Sequence, residues 1–270
     1  MKNITFTFDL EDHRAEKNGK YNRIESNCYK VLEWLEQKNI KGTFFVLGSV
    51  AQQFPKLILN ISKQGHEIGS HSYDHKYIIN ETPQSFKENV AKSKKIIEDI
   101  TNKKVSGFRA PFFSITNETL WATEVLKDLG FTYSSSVVPK KYKSFGVNEV
   151  PNCNFIWPSG LLELPMMMGS LLGIRFPCIG GVYLRLLPMS LIKFCLPREG
   201  VLWTYLHPYD IDKEEPFTKI HGTGHLGNLL LHLNRSNALI KAEQLMQNYQ
   251  TLTFIQRINN GEFKLSSFPK

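Results

Sequence analysis

Three carboxylates and an imidazole lie close together near the amino terminus, in the run DLEDH that begins at Asp9. They follow an apolar alternation over Ile4–Phe8, which predicts a buried strand that ends here. Carboxylates at the end of a strand can accept a proton or bind a divalent cation. The alternative is that these acids cap the next helix or pair with Arg14 and Lys17.

Two histidines, His71 and His75, stand four residues apart in the run GSHSYDH. On one helical turn both imidazoles would project from the same face and could share a cation. Two imidazoles and one carboxylate make a common catalytic metal site that leaves positions for water and substrate. Glu11 or Asp12 could supply that carboxylate, and Asp9 would then be the general base.

A second pair, His221 and His225, has the same spacing, but two glycines lie between them and disfavour a regular helix. We interpret this segment as a loop that enters the last helix, with Thr223 as its cap.

Two further polar residues follow predicted strands. The fixed charge of Arg109 could hold Asp9 ionised and oriented, or the side chain could bridge two loops structurally. His207 precedes Pro208, which rigidifies the turn, and its imidazole could protonate a departing amine.

Short apolar runs alternate with helical patterns, which is typical of βα units and a parallel sheet. The predicted strands are Ile4–Phe8, Thr43–Leu47, His66–Gly69, Val105–Arg109, Phe131–Ser134, Val201–Leu206 and Thr251–Ile255. The predicted helices are Asn22–Lys38, Val50–Gln64, Pro83–Ile100, Asn117–Leu129 and Leu226–Asn248. Because parallel strands deliver their loops to one face, the polar clusters described above should converge there.

We expect a single domain over residues 1–270, a barrel-like ring of about seven βα units. An insertion at about residues 137–200, rich in Pro, Gly and Met, interrupts it. This insertion should contain short strands at Val147–Pro151 and Leu162–Pro165 and a helix at Ser190–Cys195.

Composition narrows the class of protein. Hydrophobic residues make up 41% and charged residues 21% of the chain, as in a globular protein. The first residues lack the apolar core of a signal peptide, so we expect a cytoplasmic protein. The net charge of +8 suggests an anionic partner or a lysine-rich surface, and the lack of aromatic-basic interleaving argues against nucleic acid.

In order and spacing, four motifs resemble those of the polysaccharide deacetylase (NodB homology, carbohydrate esterase family 4) superfamily. They are Thr7-Phe8-Asp9 with its acidic followers, His71 to His75, Arg109-Ala-Pro111 and Leu206-His207-Pro208. The runs GGVYLRLLP and HPYDID add similarity to the branch whose first motif reads F-D-x-E-D, often associated with exopolysaccharide synthesis.

The resemblance implies an α/β fold, a distorted (β/α)7 TIM-like barrel, that removes N-acetyl groups from amino sugars with a divalent metal, zinc or else Co, Mn or Ni. In that scheme Asp9 is the base, His207 the acid and Arg109 the residue that steadies the base. His71 and His75 are metal ligands.

The substrate side of the site follows from the same resemblance. Phe112, whose backbone N–H would bind the oxyanion, and Tyr133 are expected to contact substrate. Leu10 replaces the second acid of the family's T-F-D-D-G motif, so the metal carboxylate must be Glu11 or Asp12. We favour Asp12, because Asp is the usual residue type.

The expected substrate is an N-acetylated saccharide in a polysaccharide or a lipid-linked precursor. The apolar, cationic stretch Leu161–Arg198 could rest on the inner membrane surface, or it could cover the core or form a dimer contact. Two other functions are open: a C–N hydrolase of the same fold that acts on a non-sugar amide or formamide, and a non-catalytic glycan-binding protein.

Overall fold

A computed structural model describes residues 2–12, 23–139, 146–147, 150–151, 153–197, 200–217, 219 and 224–268, except for the side chains of Lys2 and Ser267. The strands are β1 (Lys2–Leu10), β2 (Gly42–Val46), β3 (Glu67–Ser70), β4 (Gly107–Phe108), β5 (Tyr133–Ser134), β6 (Phe155–Ile156), β7 (Leu162–Glu163), β8 (Gly169–Leu171), β9 (Ile174–Phe176), β10 (Val201–Leu206), β11 (Tyr249–Thr251) and β12 (Ser266–Ser267). The helices are α1 (Ile24–Gln37), α2 (Gly48–Gln53), α3 (Pro55–Lys63), α4 (Pro83–Thr101), α5 (Trp121–Asp128), α6 (Gly181–Leu186), α7 (Met189–Cys195), α8 (His225–His232), α9 (Ala238–Met246) and α10 (Phe254–Asn259).

The chain forms two compact units. Unit 1 comprises Met1–Gly42 and Met168–Leu252, and unit 2 comprises Thr43–Met167 and Thr253–Lys270. Both contain parallel strands and helices, as the alternating pattern predicts.

Unit 1 is organised around β1, which pairs in parallel with β10 and with β11. Both faces of β1 are buried, since Phe6 and Thr7 are each 0% exposed. The register places Phe8 opposite Leu206, so the chain leaves the two strands at neighbouring positions. This register brings the residues after each strand, Asp9 and His207, to the same edge.

Unit 2 contains a run of parallel strands in the order β2, β3, β4, β5 and β7, to which β6 adds in antiparallel orientation. The ladder continues past the strand ends, because the N–H of His71 donates to Val46 and that of Arg109 donates to Ser70. These bonds fix the backbone of two candidate site residues.

Helix α4 begins as predicted, with Pro83 at its first turn and a reciprocal cap between Thr82 and Ser85. The predicted helix Val50–Gln64 is divided into α2 and α3 at Phe54, because Pro55 cannot continue the preceding hydrogen-bond ladder. The predicted helix Leu226–Asn248 is likewise divided into α8 and α9, where Asn234 adopts a left-handed conformation with φ of 54°.

Two strand predictions are wrong. The strand expected at Thr251–Ile255 ends at Thr251, and Thr253 caps α10 instead. No strand forms over the described part of Val147–Pro151; β6 lies further on. The described residues do not include Asn22, where a helix was predicted to begin. They also do not include His221 and Thr223, which belong to the loop predicted before the last helix. None of the described helices combines the length and apolar character needed to cross a membrane.

Candidate active site

The acidic residues after β1 are buried rather than solvated. Asp9 is 2%, Glu11 7% and Asp12 8% exposed. Within the same unit, Nε2 of His207 lies 3.9 Å from Oδ2 of Asp9 and 3.8 Å from Oε1 of Glu11. The β1–β10 register therefore unites the predicted base, the predicted acid and one of the two candidate metal carboxylates.

The orientation of His207 is fixed by Asp210. The Nδ1 atom lies 2.7 Å from Oδ2 of Asp210, and the backbone N–H of His207 donates to the same oxygen at 3.0 Å. An ionised carboxylate only accepts hydrogen bonds, so Nδ1 carries a proton and Nε2 faces the acids of β1. The other oxygen of Asp210 forms a buried ion pair with Arg185, at 3.0 Å.

The charges around His207 set its protonation. Burial lowers the pKa of the imidazole, but the hydrogen bond from Nδ1 to Asp210 and the charges of Asp210, Glu11 and Asp9 outweigh it and raise the pKa to about 9. Burial raises the pKa of Asp210, yet the bond with His207 and the nearby Arg185 bring it below its ordinary value. At neutral pH His207 is therefore an imidazolium that can donate a proton.

Tyr209 completes this part of the site. Its ring stacks on His207, with centroids 4.6 Å apart, and its hydroxyl donates to Glu11 at 3.5 Å. Burial and the charge of Glu11 raise its pKa well above 10, so it remains a donor. Asp210, Arg185 and Tyr209 are missed by reasoning from the sequence, although the runs HPYDID and GGVYLRLLP contain them.

In unit 2, His71 and His75 lie close together, but not on a helix. Both belong to an irregular loop after β3, in which Ser72 and His75 have positive φ, 65° and 59°. The ring centroids are 5.2 Å apart. The expectation of a helical turn is wrong; a loop that twice adopts a left-handed conformation brings the rings together instead.

A main-chain group fixes the tautomer of His71. Its Nδ1 lies 2.8 Å from the carbonyl oxygen of Arg109, which can only accept, so Nδ1 carries the proton. In the neutral ring Nε2 then holds the lone pair, which is the form that a metal ligand needs. With the neighbouring imidazole of His75, this donor set fits a divalent metal of the zinc type.

Arg109 is fully buried within unit 2. Its Nε donates to the carbonyl of Ser135 at 3.2 Å and its Nη2 to the hydroxyl at 3.2 Å. The guanidinium lies over the rings of Phe45 and Phe113, at 4.1 and 5.3 Å from their centroids. This packing holds a permanent positive charge in one position.

Phe112 lies beside the histidine pair. It is 38% exposed and has a φ of 56°, and its ring stacks on Tyr77 at 3.9 Å and contacts His75 at 4.4 Å. An exposed aromatic face next to a candidate ligand suits sugar binding, whereas the oxyanion role of its backbone N–H stays a prediction.

Tyr133 has a different environment. It is 0% exposed, and its hydroxyl donates to Glu67 at the first residue of β3, whereas His71 follows the last. The backbone of Tyr133 is in register with Gly107 of β4, and its hydroxyl is directed towards the start of β3, away from the histidines. Its contact with substrate stays a prediction.

The comparisons with known proteins agree with the motifs. Residues 1–134 match the family model described as polysaccharide deacetylase, and residues 135–258 match a domain of unknown function, DUF3473. Residues 1–134 thus belong to the NodB-type carbohydrate esterase family 4 (CE4) polysaccharide deacetylase superfamily, which the motifs predict. The branch with the F-D-x-E-D motif and the single domain over 1–270 stay predictions.

Curated relatives match part of the chain. A peptidoglycan-N-acetylglucosamine deacetylase of Bacillus cereus is 33% identical over 96 residues, 35% of this chain and 35% of the relative. One from Listeria monocytogenes is 30% identical over 120 residues, 43% of this chain and 24% of the relative. The chain thus spans only about a quarter to a third of these relatives.

Solved structures match nearly the whole chain. A candidate polysaccharide deacetylase of Mycobacterium smegmatis aligns with a TM-score of 0.63 at 16% identity, over 99% of this chain and 93% of that one. A CE4 family pseudoenzyme of Bacillus anthracis aligns at 0.53 and 14% identity, over 95% and 65%. These similarities confirm the predicted α/β NodB fold class.

Proposed function

We propose that this chain hydrolyses N-acetyl groups from an amino sugar in a polysaccharide or a lipid-linked glycan precursor, with a divalent metal. The observation that carries the proposal is the setting of His207, held by Asp210 and directed at Asp9 and Glu11. Membership of the polysaccharide deacetylase superfamily supports the substrate class, as do relatives named for deacetylation of peptidoglycan sugars.

The metal, in this proposal, is zinc, with Co, Mn or Ni as alternatives, and its ligands are His71, His75 and one acid after β1. The sequence favoured Asp12. Glu11 is the stronger candidate, because its carboxylate is oriented by Tyr209 beside His207. When bound, the ion would lower the pKa of a water toward about 7 and polarise the acetyl carbonyl.

The residues of the chain have separate tasks. Asp9 takes the proton of the attacking water, and buried Arg109 steadies this base. The backbone N–H of Phe112 donates to the oxyanion. His207, already protonated, gives its Nε2 proton to the departing amine, and the ion pair of Asp210 with Arg185 keeps the imidazole in place.

Acetate release from polymeric, nucleotide-linked and lipid-linked N-acetyl sugars tests this function. Asp9→Asn should abolish turnover and leave bound metal intact, whereas His71→Ala should lose both. Asp99→Asn is the matched control, because this aspartate is exposed and pairs with Lys95 on the surface of α4; it should change neither. Metal content of Glu11→Ala and Asp12→Ala then assigns the carboxylate ligand.

Other outcomes would replace the proposal. Release from a simple amide or formamide, with no saccharide turned over, would define a C–N hydrolase of the same fold. Saccharide binding without turnover after supply of Zn, Co and Mn would define a glycan-binding protein, and the similarity to a CE4 pseudoenzyme gives that alternative a precedent.

A further inference from the structure

The hairpin of β8 and β9 has an unusual turn. Leu171 pairs with Ile174, and the two connecting residues, Leu172 and Gly173, both have positive φ, 48° and 83°. Such turns favour Asn-Gly or Asp-Gly, because a branched side chain is strained in the left-handed region. Leu172 is nevertheless 96% exposed. A residue that is both strained and solvated contributes nothing to the fold, which points to a contact outside it.

The tip extends away from the rest of the described chain. A Cβ built on Gly173 would meet nothing within 4 Å, while one on Gly169 at the base would lie 3.2 Å from Cβ of Cys195 in α7. Beside Cys195, Phe194 is 76% exposed, and on the hairpin Ile174 is 67% exposed. Leu172, Ile174 and Phe194 are therefore exposed apolar side chains on two elements that approach each other at the base of the hairpin.

Two exposed cations flank the apolar residues, Arg175 on β9 and Lys193 on α7. Residues 164–197 contain neither Asp nor Glu. We define Leu172, Ile174, Arg175, Lys193 and Phe194 as the hairpin surface. Elsewhere in this part of the chain, Met166 and Met168 are only 7% and 4% exposed, whereas Tyr183 on α6 is 41% exposed. The hairpin surface thus combines three exposed apolar side chains with two exposed cations.

We propose that the hairpin surface inserts into the headgroup region of an anionic lipid bilayer. A narrow tip that is solvated in the described part of the chain suits a fluid interface, whereas a protein partner needs a broader complementary face. Arg175 and Lys193 can extend along the apolar side chains and place their charges among acidic headgroups. The proposal is independent of the catalytic one.

The hairpin is joined to the acid of the candidate site within unit 1. The ring of Phe176 in β9 contacts Tyr183 in α6, with centroids 5.8 Å apart. The same helix carries Arg185, which pairs with Asp210. A bilayer bound at the hairpin surface would therefore be linked through α6 to the residues that orient His207.

Flotation of the whole chain with vesicles tests the proposal. Vesicles containing phosphatidylglycerol should bind it, and phosphatidylcholine vesicles should not. Leu172→Asn should lower the partition coefficient about tenfold, because it removes a large apolar side chain. Asn is favoured in this turn, so the thermal midpoint should stay equal or rise. Leu265→Asn, at another exposed leucine in unit 2, should leave binding unchanged.

The charged residues give a second, separate readout. Arg175→Gln and Lys193→Gln should each lower binding about fivefold, and salt should weaken the wild type. Failure of the wild type to bind, or binding that Leu172→Asn leaves unchanged, overturns the proposal. So does a concentration-dependent dimer in sedimentation that Leu172→Asn abolishes, since a second copy would then cover this surface.

Discussion

The buried carboxylates of the two units have different kinds of partner. In unit 1 three of the buried acids, those in the segment after β10, each form an ion pair with an arginine: Asp210 with Arg185, Asp212 with Arg23 and Glu215 with Arg235. In unit 2, Glu163 is fully buried and Glu67 is half-buried, and both lie among neutral donors. Glu67 accepts from Tyr133, Thr43 and the N–H of Ile255, and Glu163 accepts from Trp157 and the N–H groups of Ser136 and Val137.

This difference in partners shifts the pKa values of the acids in opposite directions. Burial raises the pKa of Glu67 and Glu163, and their hydrogen bonds oppose it only in part, so both values stay above the ordinary one. Burial also raises the pKa of Asp210 and Asp212, but bonds to His207 and Arg23 bring both below it. Burial alone therefore does not decide whether a carboxyl is charged; the partner does.

Removal of a cation from unit 1 should give the largest effect. Arg185→Met leaves Asp210 buried without its arginine, and we expect a loss of about 3–5 kcal/mol in the free energy of unfolding, measured with urea. Arg175→Met, at an exposed arginine, should change it by less than about 0.5 kcal/mol. A loss below about 1 kcal/mol for Arg185→Met would mean that the ion pair with Asp210 does not explain the difference in carboxyl pKa between the units.

Removal of a neutral donor from unit 2 should cost less. Tyr133→Phe deletes the hydroxyl that donates to Glu67, and we expect a loss of about 1–2 kcal/mol in unfolding free energy. Tyr29→Phe, at a tyrosine that is 41% exposed, is the matched control. A loss as large as that of Arg185→Met would indicate that Glu67 is ionised, contrary to its raised pKa.

The pH dependence of stability should show the smallest effect, with opposite signs. For Glu67 the raised folded pKa gives stability that is complete below its ordinary 4.5 and is lost as pH rises through the folded value. For Asp212 the lowered folded pKa gives stability present above 3.8 that is lost as pH falls through the folded value. The urea midpoint should depend less on pH at high pH in Glu67→Gln, and less on pH at low pH in Asp212→Asn. Unchanged profiles would contradict the assignment.

Residues at the ends of strands were the most predictable part of the site. The apolar runs before Asp9 and His207 indicate buried strands, and parallel strands deliver their ends to one edge, so the meeting of these residues follows from the pattern. The partners of His207 did not follow. Arg185 lies in the segment predicted to be an irregular insertion, where no periodicity indicates which face of α6 points to Asp210.

The histidine pair shows how a correct grouping can rest on a wrong geometry. The spacing of four residues suggested a helical turn. The left-handed residues of this loop are instead held by hydrogen bonds to other segments, such as that from the N–H of Gly48 to the carbonyl of Ser72. The spacing of the histidines carries no information about such bonds. Tyr133 shows the converse. Its strand was predicted, but the direction of its hydroxyl towards Glu67 depends on the pairing of β3, β4 and β5, which are distant in the sequence.

The proton on His71 is held by the peptide carbonyl of residue 109, not by the arginine side chain. A substitution there can remove the guanidinium charge while every amino acid still supplies that carbonyl. Under the proposed function, ion retention and proton abstraction would therefore be separable by mutation at one codon, which would offer a short evolutionary route from an enzyme to a protein that keeps its metal and no longer turns over substrate.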